Sequence, residues 1–178
     1  MTTEESPFPS LPSGLVTIGV IHTPFAQPAG TPIQPRYAQD ARGKVIIKLE
    51  YQAGLADLEG FERIWLIYWM DRASAPRLTV KPFMDTQEHG VFATRSPCRP
   101  NPIGLSCVRL IEIKGCELLI AEVDIVDQTP LLDIKPYVPE FDVYDVQRCG
   151  WFDRRGVNLT KADDRFSRQV SDQKEDKR

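Results

Sequence analysis

Short strand-like segments dominate the chain, and this pattern restricts its fold more than any other feature. Aliphatic and β-branched residues concentrate in residues 15–22, 44–50, 64–70, 105–113, 117–126 and 131–138. Most of these segments are too short for typical helices, and fifteen prolines and eleven glycines punctuate the chain. No long helical pattern alternates with them, which disfavours a parallel α/β fold. We therefore predict an all-β, mainly antiparallel fold, a small β-barrel that is closed or nearly closed.

The connections between these segments support the same class. Residues 114–116 contain a glycine and are expected to turn a hairpin, and residues 52–59 show the one convincing helical turn. A Rossmann fold is disfavoured because no G-x-G sequence is present. Trp65, Tyr68 and Trp69 are expected in the core or at a subunit interface, because a barrel needs bulky side chains.

The two ends of the chain differ in composition from its middle. We predict a flexible lead-in over residues 1–14, one barrel domain over residues 15–145 and a C-terminal extension over residues 146–178. The extension is expected to be disordered from about residue 161, because eleven of its last eighteen residues are charged. The acidic start resembles no signal peptide, and no apolar run approaches the roughly 20 residues of a membrane span. A soluble, cytoplasmic protein is expected.

Charge and cysteine usage narrow the possible partners. The net charge is −3, but residues 72–109 contain six basic residues against two acidic ones. A polyanion such as nucleic acid would therefore meet a local patch, with Arg77, Lys81 and Arg99 as candidate contacts. The four cysteines form no Cys-x-x-Cys unit and only two histidines accompany them. We expect reduced cysteines and no metal site.

The most distinctive segment is residues 90–104. Pro100 and Pro102 fix the backbone and remove two amide donors, so this segment is expected to be a stiff connector. Arg95 and Arg99 on such a loop suit a ligand carboxylate or phosphates, because a guanidinium binds these groups with two hydrogen bonds. A plain surface crossover with solvated arginines is the alternative.

Taken together, these motifs resemble a known family. The sequence Ala93-Thr94-Arg95-Ser96, followed by Arg99-Pro100-Asn101-Pro102-Ile103-Gly104, is similar to the signature of the TrmO family. Further matches follow the family's order at residues 18–24, 32–35, 58–61 with Trp65, 127–130 and 133–137. The resemblance extends over residues 18–139.

The resemblance implies a function. Members are β-barrel methyltransferases, usually homodimers, that bind S-adenosylmethionine close to the subunit interface. They methylate the exocyclic nitrogen N6 of threonylcarbamoyladenosine beside the anticodon of tRNA. Carried over by motif, the cofactor contacts are Pro32, Ile33, Gln34, Asp71, Arg72, Arg95, Leu105, Asp127, Gln128, Thr129 and Pro130.

The proposed chemistry requires no metal but gains from a base. The acceptor nitrogen has a poor lone pair and an acidic proton, so a nearby carboxylate would help. Asp133 and Asp127 are our candidates for this base, with Lys135 or Tyr137 positioning a phosphate or the adenine. Residues 133–137 could instead form an edge strand, and Asp127 could merely shape a turn.

Two departures from the family pattern leave alternatives open. Many members have a His-Gln pair where this chain has Asp71 and Arg72, which alters the polarity beside the expected cofactor. Bacterial members commonly carry a further C-terminal domain that helps to hold tRNA, and residues 144–178 are too short and too charged to form one. The alternatives are a methyltransferase with a smaller or non-tRNA substrate, and a non-catalytic module that binds S-adenosylmethionine.

Overall fold

The chain folds around a closed barrel of six antiparallel strands. The structure, a computed structural model, describes residues 14–167. Its strands are β1 (Gly19–His22), β2 (Arg42–Ile47), β3 (Arg63–Trp69), β4 (Thr79–Val80), β5 (His89–Gly90), β6 (Ile103–Lys114), β7 (Glu117–Ala121) and β8 (Thr129–Pro136). The barrel order is β1-β2-β7-β6-β3-β8, with β8 pairing back to β1, and β4 and β5 form a separate two-stranded sheet. The predicted all-β barrel is confirmed.

Helical structure is short in the described part of the chain. The predicted helical turn near residues 52–59 is a pair of 3₁₀ helices, Leu49–Leu55 and Leu58–Gly60. The other 3₁₀ helices are Pro35–Tyr37, Val91–Ala93 and Gly150–Arg154, and one α-helical turn, α1, spans Pro139–Asp142. Within residues 14–167, no helix has both the length and the apolar character to cross a membrane.

The barrel strands occur where the sequence predicts them, and two of their ends differ by four residues or more. The first strand begins at Gly19 rather than at residue 15. The strand predicted over residues 117–126 ends at Ala121, because Glu122 adopts a left-handed backbone with φ of 63° that interrupts the pairing. The predicted hairpin between β6 and β7 is present, and Gly115 supplies the positive φ of 62° that its turn requires.

Alternation along the strands builds the core. In β3, Ile64, Leu66 and Tyr68 face inward and are buried, whereas Trp65 and Trp69 face outward and are half-buried. Burial of an aliphatic side chain such as Leu66 contributes about 2 kcal/mol. Of the three aromatic residues expected in the core or at an interface, Tyr68 lies in the core.

The last described residues, 161–167, pack against the barrel, and the predicted disorder of the longer tail stays a prediction. Phe166 is 6% exposed and packs with Val80, Val91 and Cys98 in a second, smaller core beneath β4. The Ser74 amide donates to the Phe166 carbonyl at 3.0 Å, and Lys161 bridges to Pro32. A highly charged segment can therefore contain one aromatic side chain that packs in a small core.

The remaining predictions for the two ends stay untested. The rest of the predicted lead-in and of the disordered tail, residues 1–13 and 168–178, lies outside the described residues. The proposed limit between the barrel domain and the extension, at residue 145, stays a prediction. Within the described extension, the indole of Trp151 donates to the Ala93 carbonyl at 2.8 Å, so this part of the chain contacts the segment before β6.

A substitution at Gly104 would test the packing of the barrel. A Cβ atom there would overlap the Tyr68 ring, which has no room to retreat because it is buried. We expect Gly104→Ala to lower the free energy of unfolding by about 2 kcal/mol. Gly54→Ala is the matched control, because a Cβ atom there meets open space. Urea unfolding measures both variants, and equal midpoints would contradict this account of the packing.

Candidate active site

One end of the barrel opens into a cleft of about 640 Å³. Its walls come from the segment after β1, the end of β3, the loop before β6, the segment that follows β7 and the packed residues 162, 163 and 166. These pieces are distant in sequence and meet because the strand ends of an antiparallel barrel share one rim. The volume falls in the usual range for small-molecule sites.

The cleft gathers most of the residues that the family resemblance assigns to the cofactor. Eight of the eleven line it, namely Pro32, Ile33, Gln34, Asp71, Arg72, Arg95, Leu105 and Thr129. Arg99, expected at a nucleic-acid contact, lines it as well. The three others, Asp127, Gln128 and Pro130, lie beside the cleft and not in its wall.

The segment at residues 90–104 forms one wall, and Arg99 braces it from within. Arg99 Nη1 donates to the carbonyl of Thr94 at 2.9 Å and lies 3.4 Å from the carbonyls of Val91 and Ser96. The Thr94 hydroxyl also donates to the Val91 carbonyl at 2.9 Å. The Arg99 guanidinium therefore donates hydrogen bonds to carbonyls that have no partner in a strand. A stiff connector outside the sheet requires such bonds.

Two further arginines connect separate walls of the cleft. Arg95 Nη1 donates to Gln34 Oε1 at 2.5 Å, which joins the loop before β6 to the segment after β1. The Arg72 guanidinium donates to the carbonyls of Ala26 and Asp127, each at 2.8 Å. The site therefore has three arginines at its rim, with Arg95 bound to a side chain and the other two bound to backbone.

Asp127 makes the contacts of a turn-forming residue. Its Oδ1 accepts a hydrogen bond from the Thr23 amide at 3.0 Å and lies 3.3 Å from His22 Nδ1. The hydrogen bond from the Thr23 amide lowers the pKa of Asp127 below its ordinary value. Gln128 follows with a positive φ of 63°, and Pro130 pairs with Val20 in the barrel. A lowered pKa makes Asp127 a poor proton acceptor.

The other predicted catalytic residues lie outside the cleft. Asp133 Oδ2 forms an ion pair with Lys135 Nζ at 2.8 Å, and both side chains are largely exposed. The Tyr137 ring lies 5.9 Å from the ring of Trp65, on the outer face of the barrel. Arg77 and Lys81, predicted to contact nucleic acid, are exposed near β4 and also lie outside the cleft wall. A role of Asp133 as the base stays a prediction that the structure does not favour.

A chain of hydrogen bonds between three polar side chains ends in the cleft. It was not predicted from the sequence. Ser106 Oγ donates to Asp124 Oδ1 at 2.6 Å, and the Tyr68 hydroxyl lies 3.0 Å from the same Ser106 oxygen. Because the single Ser106 proton is directed to Asp124, Tyr68 donates to Ser106. Tyr68 and Asp124 line the cleft, whereas Ser106 is 1% exposed behind them.

Burial changes the ionisation of this chain. Desolvation raises the pKa of Asp124 to about 7, outweighing the hydrogen bond from Ser106 and the charge of Arg95, which both favour the carboxylate. Burial, aided by the charge of Asp124, also raises the pKa of the Tyr68 phenol far above its ordinary value. Tyr68 is therefore a neutral donor, and Asp124 exchanges a proton near neutral pH.

Asp124 was not predicted as a site residue from the sequence, because it lies between two apolar residues of a strand-like segment. Asp124 lies between Val123 and Ile125, which are 0% and 1% exposed, so a strand pattern predicts a solvent-facing carboxylate. The available signal was a carboxylate three residues before Asp127 of the family motif, which is weak evidence. Only the closure of the barrel brings Ser106 and Tyr68 to it.

Metal-ligating side chains do not gather elsewhere in the described chain. Among residues 14–167, no three His, Cys, Asp or Glu side chains are grouped as a metal ion requires. The four cysteines are unpaired. Cys98 is buried, and its Sγ lies 3.1 Å from Ser74 Oγ. Burial raises the pKa of the Cys107 thiol. Cys98 is therefore a packing element, whereas Cys149 is exposed.

The ionisation of Asp124 predicts a dependence of stability on pH. The folded protein binds this proton more tightly than the unfolded chain, whose carboxyl has a pKa near 3.8, so stability falls as pH rises from about 4 to about 7. Asp124→Asn removes this loss, and we expect it to raise Tm more at pH 8 than at pH 5. Asp57→Asn, at an exposed position, is the control. Equal changes at both pH values would contradict the burial of an ionisable Asp124.

Known proteins share this fold and sequence. A family model described as the tRNA-methyltransferase O N-terminal domain matches residues 20–143. A protein of Pyrococcus abyssi, named as a probable S-adenosyl-L-methionine-binding protein, is 54% identical over 147 residues, which cover 83% of this chain and 80% of that protein. The tRNA (adenine(37)-N6)-methyltransferase of Mus musculus is 34% identical over 144 residues, which cover 75% of this chain and 33% of the mouse enzyme.

A solved structure agrees with the sequence matches. The crystal structure of TrmO from Pseudomonas aeruginosa superposes with a TM-score of 0.66 at 34% identity, covering 79% of this chain and 62% of that one. The chain thus spans one third of the length of the mouse enzyme and less than two thirds of the bacterial structure. The family model covers more than half of the chain, and the motifs at residues 93–104 and 127–137 lie within it. The chain therefore belongs to the TrmO family, as its motifs predict.

Proposed function

We propose that the protein is a methyltransferase that uses S-adenosylmethionine to methylate N6 of an adenine in tRNA. The observation that carries this proposal is one cleft, which gathers eight of the eleven residues assigned to the cofactor by resemblance and adds the partly buried carboxyl of Asp124. The names of two relatives support the two parts of this proposal, the cofactor and the methylated adenine of tRNA. The archaeal relative is named for binding the cofactor, and the mouse relative for methylating adenine in tRNA.

The residues of the cleft fit the chemical groups of the cofactor. S-adenosylmethionine carries a carboxylate, an ammonium group and an electrophilic methyl on a sulfonium. The Arg95 fork suits the carboxylate, and the carboxylate of Asp71 supplies negative charge for the cationic groups. Ile33 and Leu105 offer apolar contacts for the adenine ring. Alignment of donor and acceptor in a partly desolvated site is then the main contribution of the protein.

A second cleft supports a nucleic-acid acceptor. It has a volume of about 670 Å³ and shares Gln34 and Arg95 with the cofactor cleft. Trp151 and Phe92 line it, and the Trp151 indole is held by the Ala93 carbonyl and by stacking on the His89 ring at 4.7 Å. Aromatic side chains beside an arginine suit a base that has left its stack, which an enzyme acting on an adenine nitrogen requires.

The finer substrate is proposed on the resemblance. Family members act on adenosine that carries a threonylcarbamoyl group, and that group ends in a carboxylate. Arg36 and Arg95 line the second cleft and offer guanidinium donors for such a carboxylate. The proposal for this chain is therefore N6 of threonylcarbamoyladenosine next to the anticodon.

The cellular location and the oligomeric state of the enzyme are likewise proposed on the resemblance. A tRNA substrate implies a cytoplasmic enzyme, and family members are usually homodimers. Exposed apolar side chains at the rim of the cofactor cleft support a subunit contact there, because Phe92, Ile103 and Leu105 are 75%, 41% and 48% exposed.

Arg95 provides a test of the cofactor site. We expect Arg95→Ala to raise the Kd of S-adenosylmethionine at least roughly tenfold, because it removes a charged hydrogen bond to the ligand. Isothermal calorimetry without added metal measures this. Arg42→Ala, on an exposed position of β2 outside the cleft, is the control. An absence of wild-type binding at millimolar ligand would contradict the proposed cofactor.

The acceptor is tested with labelled cofactor and bulk tRNA. The tRNA comes from cells able or unable to make threonylcarbamoyladenosine, and we expect label only in the former. Label in both pools would support tRNA methylation but contradict the finer substrate. Cofactor binding without label in either pool would favour a smaller substrate or a non-catalytic binding module.

A further inference from the structure

We propose that Asp124 is the proton acceptor of the methyl transfer, with Ser106 and Tyr68 as positioning residues behind it. This inference rests on the proposed function and names a catalytic residue that the family motifs do not. It stands on the place of Asp124 in the cofactor cleft and on the hydrogen-bond chain that ends at its carboxylate.

The reaction must release one proton. A bond forms between N6 and the methyl carbon, and the C–S bond breaks, with its electron pair remaining on sulfur as a neutral thioether. The N6–H bond also breaks, and its proton passes to the free oxygen of the Asp124 carboxylate. The acceptor nitrogen is a weak nucleophile because its lone pair is delocalised, so removal of the proton during transfer lowers the barrier.

The carboxylates that reach the cleft are not equivalent. Asp163 forms an ion pair with Arg165 at 2.6 Å, and that contact lowers its pKa. Asp71 is exposed at the rim. Within residues 14–167, Asp124 takes part in no ion pair, and Ser106 is the one other residue that hydrogen-bonds to its carboxylate. Asp124 Oδ1 is therefore held, while Oδ2 remains available for a proton.

The chain behind Asp124 orients it. Tyr68 from β3 donates to Ser106 from β6, which donates to Asp124, so both hydroxyl dipoles are directed towards the carboxylate. Tyr68 cannot readily ionise because burial raises its pKa. The other group whose charge acts on Asp124 is Arg95, in the loop before β6. The remaining charged groups of the cleft are Asp71, Arg72, Arg99 and Asp163.

The environment of Asp124 suits a base at neutral pH. Burial raises the pKa of this carboxyl to about 7, so it is far more basic than an exposed aspartate and still ionised in half or more of the molecules above pH 7. An ordinary carboxylate would hold the proton too weakly. We therefore expect the kcat of the wild-type enzyme to fall as pH decreases through about 7.

Asp124→Asn is the first variant for the test. With labelled cofactor and threonylcarbamoyladenosine-containing tRNA, we expect its kcat to be lower by roughly 100-fold, whereas its Kd for the cofactor changes far less. Asp57→Asn is the matched control and keeps wild-type turnover. Asp133→Asn tests the alternative base, and its turnover should exceed that of Asp124→Asn.

Ser106→Ala is the second variant, and its readout is the pH profile. Its hydroxyl favours the charged form of Asp124, so its loss should move the acidic limb of the kcat profile to higher pH. A purely structural role of Ser106 would lower stability and leave the limb in place. This variant keeps the proposal testable if Asp124→Asn does not fold.

The outcomes separate the two proposals. Wild-type enzyme that methylates no tRNA would overturn the proposed function and this inference together. Methylating wild-type enzyme whose Asp124→Asn variant stays within about threefold in kcat would overturn this inference alone. An unshifted acidic limb in Ser106→Ala, or a larger loss in Asp133→Asn than in Asp124→Asn, would do the same.

Discussion

The Tyr68 ring lies directly against the backbone of Gly104, and this contact joins the barrel to its cleft. The two residues are opposite each other in the β3–β6 ladder, so the absence of a Cβ atom at position 104 leaves the space that the ring fills. The ring then directs its hydroxyl to Ser106, two residues further along the same inward face of β6. Through Ser106 the contact extends to Asp124, and the buried end of the cleft depends on it.

The open end of the cleft depends on arginine. Its walls are irregular segments, whose carbonyls have no strand partner, and guanidinium groups satisfy several of them. Arg99 braces the loop before β6 from within, and Arg72 ties Ala26 to Asp127 across the rim. This arrangement explains how a site made of loops keeps a defined shape, since a guanidinium offers donors in fixed directions. Arg99, predicted to contact nucleic acid, thus also stabilises the loop that lines the cleft.

Local patterns predicted much of the fold. The short aliphatic and aromatic run at residues 64–70 indicated β3, and the glycine in residues 114–116 indicated the hairpin between β6 and β7. The same reasoning failed where one residue departed from its neighbours. Glu122 ended a strand that the run of aliphatic residues continued to residue 126. A single left-handed backbone conformation decided this case, and it contributes little to an average over a segment.

By itself, the sequence determined the barrel class, the family and eight of the residues that line the cleft, because β-forming segments, turn residues and contiguous motifs are properties of neighbours along the chain. Only the tertiary structure decided which carboxylate lies inside. Asp124, Asp127 and Asp133 are alike in sequence, yet the first is buried against Ser106, the second is held by the Thr23 amide and the third is paired with Lys135 on the outside. The cost of desolvating a carboxylate depends on all the strands that surround it, and barrel closure alone brings those strands together.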